Sequence, residues 1–234
     1  MSTTMGPRSV PAADFIPPLE PGDRLGRAEF LRRYEAMPET KKVELIDGVV
    51  FMPSPVRHHR HGQPHAHLTG WLFAYAAQTP GLEVSDNASC LLAGDNAVQP
   101  DALLLIRSDH GGQTRLNADG FIEGCPELVC EVASSSVSID LGQKLDLYRR
   151  AGAKEYLVWR VLDEVLDWFR FVDGRQEQLT ADAEGVVRSE VFPGLWLDVP
   201  AMLSGKLARV LEVVRQGVGG AEHAAFVARL GGRP

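Results

Sequence analysis

Two apolar stretches in the middle of the chain each carry a carboxylate where a buried strand has no ordinary use for one. The first is Ala102-Leu103-Leu104-Leu105-Ile106, opened by Pro100-Asp101; the second is Glu127-Leu128-Val129-Cys130-Glu131-Val132-Ala133. Short apolar runs bounded by turn residues read as strands, here Val98–Ile106 and Glu127–Ala133. Side chains alternate across a strand, so Glu131 shares the face of Val129 and Ala133. If that face packs inward, Glu131 is buried, and a buried carboxylate is costly unless a cation meets it. The helix predicted over Ile139–Ala151 offers one. Leu141, Lys144, Leu145, Tyr148 and Gly152 are spaced i, i+3, i+4, i+7 and i+11, so Lys144 borders the apolar stripe. Asp101, Glu131 and Lys144 then form one cluster in strand–strand–helix order. Singly, each has a bland reading: a strand-end acid facing water, or a lysine snorkelling from a helix flank.

The rest of the chain reads as a mixed α/β protein. Residues 1–24 hold Pro7, Pro11, Pro17, Pro18 and Pro21 among small polar residues, a loose arm. Arg27–Met37 is an amphipathic helix stopped by Pro38. Lys42–Ile46 and Val49–Met52 form a hairpin around Asp47-Gly48. Pro53–Pro64 is a loop, with Pro64 placed to open a helix whose buried stripe is Leu68, Leu72, Tyr75 and Ala76. Leu82–Asp86, Ser89–Leu92, Val98–Ile106 and Glu127–Ala133 are expected in one sheet, with Asp109–Gly124 as a polar surface connection. Ser138 or Asp140 caps the following helix, which Gly152 stops; the hydroxyls of Ser134-Ser135-Ser136 are further candidates to cap its backbone donors. Lys154–Trp159, Val165–Phe171, Gln176–Thr180 and Val186–Val191 are further strands, the second and third turning at Asp173-Gly174. Trp159, Trp168, Phe169 and Phe171 are core or sheet-face residues, and Trp196 packs its loop onto the domain. From 199 to 230 the chain is helical, with a break near Gly217–Gly220. The expected organisation is an arm (1–24), one catalytic-type domain (25–204) and a helical C-terminal tail (205–234).

The chemistry of the cluster is that of a hard divalent cation. Magnesium takes oxygen ligands and keeps several waters, so one or two carboxylates plus a phosphate suffice to bind it. An ammonium beside a metal-bound water favours hydroxide and steadies charge on a phosphoryl group. Asp101 and Glu131 are the candidate metal ligands, Lys144 the candidate ammonium, and phosphodiester hydrolysis the implied reaction.

The same residues resemble a known family. Glu44-Leu45-Ile46-Asp47-Gly48, Gln99-Pro100-Asp101, Glu127 through Ser134, then Asp140, Lys144 and Tyr148, and Gly152 through Trp159 are similar, in order, to the Uma-two family of the PD-(D/E)xK nuclease superfamily. The resemblance spans about 27–203. It implies a restriction-endonuclease-like core, a central mixed β-sheet flanked by helices with the active site at one sheet edge. It also implies a magnesium- or manganese-dependent DNA endonuclease, working as a homodimer as related nucleases do to cut both strands. Asp101 matches the PD aspartate and Glu131 the second acid. The superfamily lysine lies two residues further on, where this chain has Ala133; Lys144 matches the lysine this family takes from the next helix. Glu44 matches an early family glutamate that contacts metal or water, and reads equally as a hairpin-edge charge. His58 or His61 matches a family histidine at the start of a helix.

Composition limits the alternatives. With 24 basic and 31 acidic residues the net charge is −7, which argues against a protein that coats nucleic acid non-specifically. Yet no acidic residue occurs between Gly48 and Leu82, and Arg57, His58, His59, Arg60 and His61 fall inside that stretch, suited to DNA phosphate. A zinc site from His58, His61, His65 and His67 competes with this, although Pro64 is expected to interrupt the alignment of the first two with the third. Cys90, Cys125 and Cys130 form no metal or disulfide pattern and suit a cytoplasmic protein. No apolar run is long enough to span a membrane, and there is no Walker loop, H-E-x-x-H or G-x-S-x-G motif. The remaining alternative is a catalytically silent nuclease-fold module used for binding or regulation.

Overall fold

The computed structural model describes residues 15–40, 42–53 and 57–232. The first fourteen residues of the expected arm, and 54–56 of the expected loop, lie outside these. Helix α1 (Arg27–Glu35) buries Phe30. Asp47 and Gly48 adopt left-handed backbone (φ 48° and 75°), the geometry of a two-residue hairpin turn, so β1 (Glu44–Ile46) folds back on β2 (Val49–Phe51). A π-helical turn, His58–Gly62, runs directly into α2 (Gln63–Ala76). Then come β3 (Leu82–Asp86), β4 (Cys90–Leu92), β5 (Asn96–Val98), β6 (Ala102–Ile106), β7 (Arg115–Leu116), β8 (Ile122–Glu123) and β9 (Leu128–Ala133). A π-helical turn over Ile139–Lys144 leads into α3 (Leu145–Ala151), which ends at the left-handed Gly152. β10 (Glu155–Arg160), β11 (Val165–Val172), β12 (Arg175–Gln178), β13 (Val186–Arg188) and β14 (Trp196–Asp198) follow, then α4 (Val199–Leu203), α5 (Leu207–Val218) and α6 (Ala221–Gly231).

Two six-stranded sheets result, ordered β2-β1-β5-β4-β8-β7 and β12-β11-β10-β9-β6-β3, with β13 and β14 paired separately. In the second sheet β9 and β10 are parallel, joined through α3 as a parallel pair requires, and the other pairs are antiparallel. Its two faces separate by period two. Leu104, Leu128, Cys130, Val132, Leu157 and Trp159 pack toward α2, α5 and α6. Leu103, Leu105, Val129, Ala133, Tyr156 and Val158 pack on the other side with Leu145, Leu147 and Tyr148 of α3 and with Cys90 and Val98 of the first sheet. Burial of each leucine or valine among these contributes about 1.5–3 kcal/mol. Val210, Val214, Phe226 and Leu230 join the same core as α2, so the C-terminal helices cover one face of the sheet.

Five expectations need correction. Val98–Ile106 is two strands in different sheets: Pro100 has no N–H to give a ladder, and the chain crosses from one sheet to the other at Gln99-Pro100-Asp101. The segment expected at Ser89–Leu92 therefore lies in the first sheet rather than beside Glu127–Ala133. Residues 58–64 are helical rather than loop: the π-helical turn runs on into α2, in whose first turn Pro64 lies. The 109–124 connection contains β7 and β8 and buries Thr114 and Ile122. Ser138 makes no side-chain cap; instead Ser136 accepts the Asp140 N–H on its carbonyl and donates its hydroxyl to the Asp140 carboxylate at 2.5 Å.

Candidate active site at the junction of the two sheets

Asp101 occupies the crossing point. Ala102 pairs with Cys130 where β6 meets β9, and beyond that pair Pro100 ends the ladder. The N–H of Val132, left without a strand partner there, donates to Asp101 Oδ2 at 2.7 Å. Lys42 Nζ donates to Oδ1 at 2.7 Å, and His61 Nε2 lies 3.1 Å from Oδ2. Burial alone raises a carboxyl pKa, but the His61 and Lys42 contacts hold this one well below the usual range.

Glu131 lies on the inward face of β9 beside Val129 and Ala133, with α3 packed over it. Its Oε1 accepts from Lys144 Nζ at 3.0 Å and from the Tyr148 hydroxyl at 2.9 Å. The same Nζ is 2.8 Å from Glu44 Oε2 and 3.9 Å from Asp140 Oδ1. Glu44 Oε1 in turn accepts the N–H of Gln99, one residue before Pro100, at 2.8 Å. Glu44, Asp101, Glu131, Asp140 and Lys144 are all buried.

Four carboxyl groups (Glu44, Asp101, Glu131, Asp140) thus face two ammonium groups (Lys42, Lys144), four against two, a formal excess of two negative charges. Burial and the neighbouring charges shift these groups together. Burial pushes Glu131 up to about 8, against the pull of Lys144 and reinforced by the charges of Asp101 and Asp140. Burial also raises Asp140. Burial works against the Lys144 ammonium, yet Glu131, Glu44 and Asp140 hold its pKa well above the usual lysine value. Cys90, buried near these acids, is pushed up to about 12, so it offers no thiolate.

The structure joins Glu131, Lys144 and Glu44 directly and sets Asp101 within electrostatic reach of Glu131, held by Lys42 and His61; Ala133 is buried in the apolar face. Lys42 and the contact of His61 with Asp101 were not read from the sequence. Lys42 lies two residues before Glu44, on the same side of an extended chain, and that period is the signal that reveals it. The alignment of the histidines also needs correcting. With the π turn continuous into α2, the His61 and His65 rings meet edge-on, centroids 5.7 Å apart, so Pro64 does not separate them. Among the described residues, no three His, Cys, Asp or Glu side chains are arranged to hold a metal, so a zinc centre from the histidines is not supported.

The architecture is a mixed-sheet core with helices on both sides, and buried acids and lysines gathered where two strands part. The family model described as "Uma2: Putative restriction endonuclease" matches residues 27–200, and the chain belongs to that family. The fold is similar to the crystal structure of a putative nuclease belonging to DUF820 from Anabaena variabilis ATCC 29413. The TM-score is 0.56 at 17% identity, over 74% of this chain and 97% of that one. No curated protein matches the chain. Among the described residues, no helix is long and apolar enough to cross a membrane.

Proposed function

We propose that this chain is a DNA endonuclease dependent on magnesium or manganese, with Asp101 and Glu131 as the carboxylate ligands. The observation that carries the reading is the gathering of four buried carboxyl groups about two lysines at the sheet junction. The donor set is all hard oxygen, which suits magnesium. Two carboxylates leave the remaining positions to water and substrate phosphate, so a three-residue protein cage is not required. The ion, when bound, supplies Lewis-acid stabilisation of a phosphodiester under attack. Lys144 holds Glu131 and Glu44 in place and sets a positive charge beside the attacking water. Glu44 fixes Lys144 from the other side and ties it to the backbone of Gln99. The substrate is DNA, and cutting both strands of a duplex calls for two such sites, hence a homodimer. Three free, buried cysteines fit a cytoplasmic setting.

The test is incubation of the protein with plasmid and magnesium or manganese. Asp101→Asn and Glu131→Gln are each expected to lower cleavage by about 100-fold or more, the scale of losing several kcal/mol of charge stabilisation. Cleavage unchanged in both variants would rule out this site. A second reading, a silent binding module, draws on Ala133 in the usual lysine place and on the lysines that already engage both acids. Calorimetric titration with magnesium separates the two, since a silent scaffold has no need to bind the ion through Asp101 and Glu131.

A further inference from the structure

The two lysines of the site differ in where they stand. Lys144 Nζ is enclosed by Glu44, Glu131 and Asp140, and its side chain is 6% exposed. An ammonium has three N–H donors, and those of Lys144 face these acids. Lys42 reaches Asp101 from the side open to solvent: its side chain is 22% exposed, and that of His61, which meets the other Asp101 oxygen, is 21% exposed. Asp101 beneath them is 3% exposed. On the side open to water Asp101 is thus flanked by Lys42 and His61, while Oε1 of Glu131 is held from within by Lys144 and Tyr148. The exposed side chains of Arg57, His58, His59 and Arg60 lie on the turn that carries His61.

We propose that Lys42 is a catalytic residue that meets the scissile phosphate, leaving Lys144 to position the buried glutamates. This rests on the nuclease reading above. Lys42 is a compact point charge on a flexible stem, suited to exchanging the Asp101 carboxylate for a phosphate oxygen as substrate enters. No lysine is needed at Ala133 under this arrangement, because β1 delivers the phosphate-facing ammonium from the neighbouring sheet.

The experiment uses the full chain and two readouts, with Lys42→Met, Lys42→Arg and the exposed off-site Lys206→Met. Binding of a fluorescent DNA duplex is followed by anisotropy without divalent ion over a series of salt concentrations, and cleavage is measured with magnesium. Lys42→Met is expected to lower the slope of log affinity against log salt by about one, the mark of one lost phosphate contact. It should also cut cleavage by about 100-fold or more, as loss of one preorganised charge-stabilising group does. Lys42→Arg should restore the slope and most of the cleavage, and Lys206→Met should change neither. If Lys42→Met does not fold, Lys42→Met with Asp101→Asn removes both charges of the pair; it must lose the same slope, and Asp101→Asn alone must not. A wild-type slope and cleavage rate in Lys42→Met, or no recovery in Lys42→Arg, overturns the assignment of Lys42. If Asp101→Asn still abolishes cleavage in that case, the nuclease reading stands without it. A wild-type chain that binds no duplex at all overturns both.

Discussion

Tyr148 donates its hydroxyl to the same Glu131 oxygen that Lys144 holds, at 2.9 Å, and both Tyr148 and Glu131 are buried. The helix that supplies the lysine therefore also supplies a neutral donor one turn later, and both converge on one carboxylate. Tyr148→Phe keeps the ring and its packing on Tyr156 (centroids 5.1 Å apart) and removes only the donor. The expected loss is about 1–3 kcal/mol, the cost of leaving a buried acceptor one donor short. Urea unfolding at neutral pH measures it; a variant as stable as the wild type would show that the hydroxyl contributes nothing.

Lys144→Met removes the counter-charge from three buried acids at once. Breaking one side of a buried ion pair costs about 3–5 kcal/mol. Adding Glu131→Gln should recover part of the loss, since the remaining site then buries one charge fewer. Additive losses in the double variant would contradict the direct Lys144–Glu131 contact.

Stability should fall as pH rises from acid toward neutral. Glu131 moves from an ordinary 4.5 to about 8 in the fold, chiefly through burial, so between those values the native state binds more protons than the unfolded chain. Its contribution is complete below about 4.5 and lost as pH climbs through about 8. Glu155, pushed up to about 7 by burial, acts in the same sense. Asp101 acts oppositely, but only as pH falls below the usual aspartate value of 3.8. The Tm difference between pH 5 and pH 8 should therefore shrink in Glu131→Gln. An unchanged difference would mean that Glu131 is ionised throughout.

Glu155 tests whether a buried acid must be functional. It accepts from the Ser189 hydroxyl, from the N–H groups of Glu190 and Val191 and from the Trp168 indole, and so fixes the turn after β13 rather than facing the junction. Glu155→Ala should destabilise the chain by about 3 kcal/mol by stranding these donors. Magnesium affinity of the folded variant should stay at the wild-type value, as calorimetry would show.

What the sequence made legible was local. The Asp47-Gly48 turn, the alternation in Glu127–Ala133 and the spacing that places Lys144 beside Tyr148 are each set by neighbours in the chain, and each is where the pattern put it. What it hid was set by partners distant in sequence. Pro100 reads as one residue inside a strand, yet it parts two sheets, because sheet membership depends on which strands lie alongside. Lys42 looks like any hairpin lysine until β1 is laid beside the crossing; His61 looks like loop until its turn is seen to continue into α2.

The crossing at Pro100 has one more consequence. Val132 gives its N–H to a side chain where its neighbours in β9 serve the ladder, so that amide is wired to the charge on Asp101. In a nitrogen–proton correlation spectrum its resonance becomes a native probe of the junction. Whatever draws Asp101 away, whether an ion or a departing Lys42, will register there as a shift and as faster deuterium uptake, with no label introduced into the site.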